Sequence, residues 1–399
     1  MMDLLQFVKD PLDLANLEII DPVLVQNFVK RINSLENIGD KKLIIAIGTG
    51  GTISMEEQDT PTGKILVPSL DFPKIFARVE PGLNNKFQVE SLDAYAIDSA
   101  NMKFSNVHDL VIVINYISKN IQNKFLGFLI LHGTDTMAEA SGHLAAMFGD
   151  SLQYPVVYTG AQHSIVDPMH DAGLNIRNSI YALEGISEAG FADVVITFGD
   201  GIILSCGAKK VSDISKNAFE SPMHELIADL SKPQYPIGLH EKLLRRAKDN
   251  TGKAPRVYSG YTHLLEINSK IAMSPEQIIR QIQDPMVHGV LLVTYGAGTA
   301  DDDIINAISK TTREKGISAF AASPINSDPA LHIYESAKKM RNIGIEPLYM
   351  TPEFARAKFE IAIRECKGNV TEVSKFMGIG YIGEIPTAET RRKSPLLRF

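Results

Sequence analysis

Lys42-Leu-Ile-Ile-Ala-Ile-Gly-Thr-Gly-Gly-Thr52 is the stretch on which the fold turns. A short apolar run closed by glycines predicts a buried strand of a parallel sheet that feeds a tight loop. Working outward, the same alternation repeats. Phe87–Ile97 is expected as a strand, and Val107, Leu110, Ile114, Ile117 and Ile121 fall on one stripe of a helix. Phe125–Leu131 predicts a strand running into His132-Gly-Thr-Asp-Thr136, followed by a helix over Met137–Phe148. A strand over Pro155–Thr159, a helix over Asp171–Gly185 and a strand over Ala192–Phe198 continue the series. This βαβα order implies an α/β protein with a mostly parallel sheet covered by helices on both faces.

Four segments are expected. Residues 1–40 are a helical extension, in which Val23, Val25, Phe28, Ile32 and Leu35 recur near helical spacing. Residues 41–221 form the larger α/β domain, and 222–254, irregular and rich in proline and charge, the linker. Residues 255–399 form a smaller α/β domain with a helical tail. That domain should hold strands at Arg256–Tyr261, Gly289–Tyr295 and Ser318–Ala322, and helices at Pro275–Gln283 and Asp302–Lys315. Further helices start at Pro329, Thr351 and Asn369. The polar stretch Glu56–Lys64, with its proline and glycine, predicts a mobile loop.

Composition narrows the function classes. The 399 residues are 44% hydrophobic and 22% charged, enough for a full core without staples. Forty basic against forty-seven acidic residues leave a net charge of −7, which argues against a chain-wide attraction to nucleic acid or anionic membrane. Cys206 and Cys366, the two cysteines, form no CxxC pair, so neither a structural zinc nor a disulfide framework is expected. The first residues carry acids throughout and lack a signal peptide's basic start, and no run of about 18 apolar residues occurs. A cytoplasmic protein follows as the expectation.

Two segments could carry chemistry. Gly50-Gly51-Thr52 and Gly133-Thr134-Asp135 each place a threonine after a glycine, beyond the carboxyl end of an apolar strand. Loops at that end of a parallel sheet form its ligand crevice. Glycines let a substrate approach the backbone N–H groups, as an oxyanion hole requires. A threonine hydroxyl becomes a nucleophile once a neighbouring base takes its proton. Neither of these two segments forms a GxGxxG or GxxxxGK[ST] motif. His163 and His170 lack metal-ligand spacing, and no metal site is expected. Cys206 suits a small buried hydrophobe, and Asp301-Asp-Asp303 suits a helix N-terminus.

Together the motifs resemble the bacterial-type L-asparaginase family, including its cytoplasmic type I members. Thr49-Gly-Gly-Thr-Ile53 matches that family's TGGTI, and His132–Met137 its HGTDTM letter for letter. Asp98-Ser99-Ala100-Asn101-Met102 matches DS-x-x-M, Thr159-Gly-Ala-Gln162 matches TG[AS]Q, and Lys210 precedes Phe219 by the expected nine residues. The resemblance covers about residues 41–350. It implies a two-domain asparaginase-like fold and an amidohydrolase that converts L-asparagine to L-aspartate and ammonia through an acyl-threonine, with no cofactor. It makes Thr52 the nucleophile and Thr134, Asp135 and Lys210 the second catalytic cluster. Gly51, Asp98, Ser99, Gly133, Thr134 and Asp135 would line the substrate, Ser99 and Asp135 holding its carboxylate and ammonium. Homodimers or homotetramers are implied, with Glu335 of Tyr334-Glu335-Ser336 as the carboxylate that a neighbouring chain lends to the site.

Three departures stand out: Thr60 where the family commonly has tyrosine, Ala100 where it has glutamine or serine, and Thr299 where asparagine is common. They keep two alternatives open. One is an amidase acting on glutamine or on a peptide- or tRNA-linked amide, the last with a partner protein. The other is a regulatory protein that binds an amino acid without turnover.

Overall fold

The structure, a computed structural model, describes residues 12–392 apart from 37, 61–62, 69–71, 164–170, 232–236, 248–252, 259–261, 272, 326–334 and 388. Of 54–60, 63–68, 74, 78 and 335–337 it describes the backbone alone. The chain divides into two compact units. The larger runs through Ser221 and resumes over Leu226–Val257; the smaller holds Pro222–Glu225 and Tyr258–Phe399.

The larger unit carries, in chain order, α1 (Pro22–Asn33), β1 (Lys42–Gly48), β2 (Met55–Thr60), β3 (Gly63–Pro68), α2 (Phe72–Val79), α3 (Leu83–Lys86), β4 (Phe87–Asp93) and α4 (Phe104–Asn120). There follow β5 (Phe125–Leu131), α5 (Met137–Phe148), β6 (Val156–Thr159), α6 (Ala172–Glu188), β7 (Val194–Phe198), β8 (Gly201–Leu204), β9 (Lys209–Lys210), β10 (Phe219–Glu220) and β11 (Ala228–Asp229). Its main sheet has seven strands in the order β11-β8-β7-β6-β5-β1-β4. The five strands from β7 to β4 are parallel, whereas β8 and β11 pair antiparallel. Every residue of β5 is buried, as is every residue of β1 after Lys42, which is why both are apolar without alternation. Helices α1, α4 and α5 pack together, as do α2 and α6, so a helical layer covers each face.

That strand order positions the site. From β1 the chain proceeds to β4 on one side, and from β5 to β6 on the other. The loops after β1 and β5 therefore diverge from adjacent strand ends and open a crevice, the switch point at which open parallel sheets bind ligands.

The segment before β1 is held to this unit by a buried carboxylate. Asp109 of α4, fully buried, accepts hydrogen bonds from the backbone N–H groups of Glu18 (2.9 Å), Ile19 (2.8 Å) and Ile20 (2.9 Å). Asp21 caps α1 by accepting from Val23 N at 2.8 Å, and Pro22 occupies its first turn. The buried stripe of α1 is Val25, Phe28, Val29 and Ile32, while Val23, expected on it, is exposed.

One expected loop is instead a hairpin. Over Glu56–Lys64 the backbone forms antiparallel β2 and β3, with Met55 opposite Pro68 and Thr60 opposite Gly63. Gly63 opens β3, and Ile65-Leu-Val67 beyond it has the composition of a strand. No helix among the described residues is long and apolar enough to cross a membrane.

The smaller unit alternates β12 (Leu264–Asn268), α7 (Pro275–Gln283), β13 (Gly289–Val293), α8 (Asp302–Lys315), β14 (Ser318–Ala322), α9 (Glu335–Asn342) and β15 (Ile345–Leu348). It ends with α10 (Pro352–Glu365) and α11 (Val370–Gly378). The four strands form a parallel sheet in sequence order, with Ile282, Val290, Leu292, Ile305 and Ile308 in its core. Its first strand is Leu264–Asn268; 256–258 are not in a strand, and 259–261 lie outside the described residues. Pro329, expected to open a helix, also lies outside them. Asp301 caps α8 by accepting from Asp303 N and Ile304 N, so the acidic triplet serves a helix start as its position predicted.

A buried ion pair braces the end of this unit. Lys358 Nζ lies 2.7 Å from Glu384 Oε1 and donates to the carbonyls of Met377 (3.0 Å) and Ile379 (2.7 Å). Both side chains are fully buried, and Glu384 also accepts from Tyr381 N and Ile382 N.

Candidate active site

Three loops meet at the carboxyl ends of β1, β4 and β5. Thr49, directly after β1, donates from both its backbone N and its Oγ1 to Leu131 O at 3.0 Å, tying the first loop to the end of β5. Gly50 and Gly51 follow with φ of 101° and 86°, conformations that L side chains rarely adopt. Space is equally restrictive. A Cβ on Gly50 would lie 2.3 Å from Ile97 O, and one on Gly51 would lie 2.6 Å from Gly133 Cα. A Cβ on Gly133 would in turn lie 2.5 Å from Ser99 Oγ. Glycine is thus required here for close backbone approach, and Thr52 and Thr134 each follow one member of the touching Gly51–Gly133 pair.

The turn between β4 and α4 delivers Ser99. Asp98 Oδ1 accepts from Ala100 N at 3.1 Å and shapes a short 3₁₀ turn over Ser99–Asn101. Ser99 is buried, and its carbonyl accepts from Thr136 Oγ1 at 2.8 Å. Asp98, expected to line the substrate, is exposed and serves as the cap of this turn.

Lys210, on β9, reaches the loop after β5. Its Nζ donates to Thr134 Oγ1 at 3.0 Å and to Asp135 Oδ1 at 2.6 Å. The residues that the sequence singled out as a second cluster are therefore in direct contact, although some 75 positions separate Lys210 from Asp135. Thr134 and Thr52 are half-buried, and the Asp135 side chain is 57% exposed. Burial acts to lower the pKa of Lys210, but Asp135 and Asp213 outweigh it and hold the ammonium above the usual lysine range.

Other polar groups support these loops. After β6, Asp171 accepts from Gln162 N at 3.1 Å and His163 N at 2.9 Å. Gln162 Nε2 donates to Ser212 O at 3.2 Å, bracing the loop that follows Lys210. Asn175 Nδ2 donates to Gly160 O at 2.9 Å, and a Cβ on Gly160 would press on His132 O at 2.5 Å. His132 is fully buried, with Nδ1 2.6 Å from Gly133 O, and burial pushes its pKa down to about 4. Burial thus favours its neutral form.

Sequence reasoning missed Asp213, which lies 2.6 Å from Lys210 Nζ. The available signal was the spacing of three residues between opposite charges. Cys206 is buried, as expected. Thr60 and Glu335 have backbone but no side chain among the described atoms, and His170 lies outside the described residues. Thr299 belongs to the smaller unit, where its carbonyl accepts from Tyr295 N at 2.9 Å. Among the described residues, no group of three His, Cys, Asp or Glu side chains could hold a metal ion.

Comparison with known proteins gives the same direction. Residues 43–240 match the family described as Asparaginase, N-terminal. The chain is 27% identical over 325 residues to one of the subunits of the glutamyl-tRNA(Gln) amidotransferase of Aeropyrum pernix, covering 79% of this chain and 73% of that protein. It is 25% identical over 348 residues to the L-asparaginase of Thermococcus kodakarensis, covering 86% and 98% respectively. Among solved structures, the thermostable L-asparaginase from Thermococcus kodakarensis superposes with a TM-score of 0.71 at 23% identity, covering 87% of this chain and all of that one.

Proposed function

Because the chain belongs, through residues 43–240, to the asparaginase family of amide hydrolases, we propose that it hydrolyses the side-chain amide of L-asparagine to L-aspartate and ammonia. The observation that carries this reading is the Gly51–Gly133 contact, which sets Thr52 beside the loop bearing the Lys210–Thr134–Asp135 cluster. Thr52 Oγ attacks the amide carbon and loses its proton as the C–O bond forms. Backbone N–H groups of the glycine-rich loops stabilise the oxyanion. The C–N bond then breaks, ammonia leaves with a proton delivered through Thr134, and the Thr52 ester remains. Water, giving its proton back through the same hydroxyl, hydrolyses the ester. In this reading Ser99 and Asp135 hold the substrate's carboxylate and ammonium. We place the protein in the cytoplasm as a homo-oligomer, as the type I resemblance implies.

Ammonia release from asparagine, set beside calorimetric binding of asparagine, tests the reading. Turnover supports it; tight binding without ammonia release replaces it with a ligand-binding function. A second reading is favoured by the amidotransferase relative, whose name makes it one component of an assembly. It predicts that glutamine replaces asparagine as ammonia source and that release rises with a partner protein and tRNA.

A further inference from the structure

Lys210 meets three acceptors: Thr134 Oγ1 at 3.0 Å, Asp135 Oδ1 at 2.6 Å and Asp213 Oδ1 at 2.6 Å. An ammonium has three N–H donors, so each is matched; a neutral amine would leave one acceptor without a partner. The two carboxylates are placed differently. Asp135 belongs to the loop that lines the crevice, on the element carrying Thr134. Asp213 stands on the lysine's own loop, 82% exposed, and that loop is built rather than loose. Ser212 Oγ accepts from Ile214 N at 3.2 Å and Ser215 N at 3.0 Å, closing a turn around Asp213. Ser212 O is in turn held by Gln162 Nε2 at 3.2 Å.

Resting on the reading of Lys210 and Thr134 given above, we propose that Asp213 is a positioning residue that anchors Lys210 against Thr134 while Asp135 turns to the substrate. Asp135 is asked to do two things, to partner Lys210 and to receive a substrate cation. A second carboxylate lets it do the latter without releasing the lysine. Lys210 then keeps its three protons throughout. Its N–H points at Thr134 Oγ1, so the hydroxyl proton of Thr134 is directed away from the lysine. That proton passes to the departing amide nitrogen and is replaced from Thr52 Oγ. Asp135 and Asp213 are the charges that raise the lysine's affinity for its proton against the effect of burial. Packed against β9 are α5, whose titratable residues are Glu139 and His143, and β10, whose Glu220 lies opposite Lys209.

The test uses the full chain with Asp213→Asn, Asp213→Glu and Lys210→Met. Competitive acetylation of lysines with acetic anhydride, read peptide by peptide by mass spectrometry, reports the neutral amine of Lys210 without requiring turnover. Removing one anion favours the neutral form, so Asp213→Asn should label about threefold faster at a fixed alkaline pH, the size expected for an exposed ion pair. In steady-state ammonia release it should lower kcat, leave KM within about twofold and move the alkaline limb of the pH profile to lower pH. Asp213→Glu should restore both labelling and kcat. Unchanged labelling or an unchanged pH limb in Asp213→Asn, with Lys210→Met inactive, overturns the role of Asp213 alone. Faster turnover of Asp213→Asn near neutral pH also overturns it, because the lysine would then be acting as a neutral base. Wild-type turnover in Lys210→Met overturns the reading of Lys210 on which the proposal rests.

Discussion

Substituting Gly51 by alanine tests whether the contact between the two glycine loops sets the reactive geometry. The perturbation has two parts. Backbone strain at φ 86° amounts to about 1–2 kcal/mol for a residue with a Cβ. The added methyl would also lie 2.6 Å from Gly133 Cα and N, and an ordinary contact of 3.4 Å requires the loops to separate by about 0.8 Å. A shift of that size moves Thr52 relative to Thr134, and a misplacement near 1 Å lowers a reaction rate by about 10²-fold. Gly51→Ala should therefore lower kcat/KM for the amide by about two orders of magnitude. Gly316→Ala is the matched control. That glycine caps α8 with φ 74°, so it shares the backbone strain, but nothing lies within 4 Å of the added Cβ. Gly316→Ala should lose about 1 kcal/mol of stability in urea titration and keep wild-type turnover. Ammonia release below the melting transition, with circular dichroism to verify folding, separates the two effects. Wild-type turnover in Gly51→Ala, or an equal loss in both variants, would refute the argument.

Further outcomes follow from the same geometry. Thr52→Ala should abolish hydrolysis by several orders of magnitude and retain asparagine binding in calorimetry; an acyl adduct trapped on another residue would contradict this. Lys210→Met and Thr134→Val should each slow ammonia release severely, and the double variant should be little worse than either, because groups acting as a unit give non-additive losses. In the smaller unit, Lys358→Met strands the buried Glu384 carboxylate and should destabilise by about 3–5 kcal/mol, with much of the loss recovered by adding Glu384→Gln. Equal instability of the double variant in denaturant titration would mean that packing, not the charge, is what Lys358 supplies.

The strands nearest the site were legible without coordinates, because a strand buried on both faces must be apolar at every position, and Leu43–Ile47 and Phe125–Leu131 are. The glycines and threonines beyond them marked the loops, since close approach and positive φ leave few other residue choices. The hairpin over 55–68 was not legible in this way: its polar first strand carries no periodic apolar signal, and its backbone pairing is a matter of register. Residue pattern did not join Lys210 to Thr134 and Asp135, which only the family resemblance grouped, nor Asp109 to the N–H groups of residues 18–20, across separations of 75 to 91 positions. Local pattern depends on neighbours a few residues apart, whereas such contacts exist only once the order and register of β1, β4, β5 and β6 have placed their loops side by side. The choice of threonine, lysine and aspartate was therefore determined by the sequence itself, and which of their atoms meet was decided by the sheet.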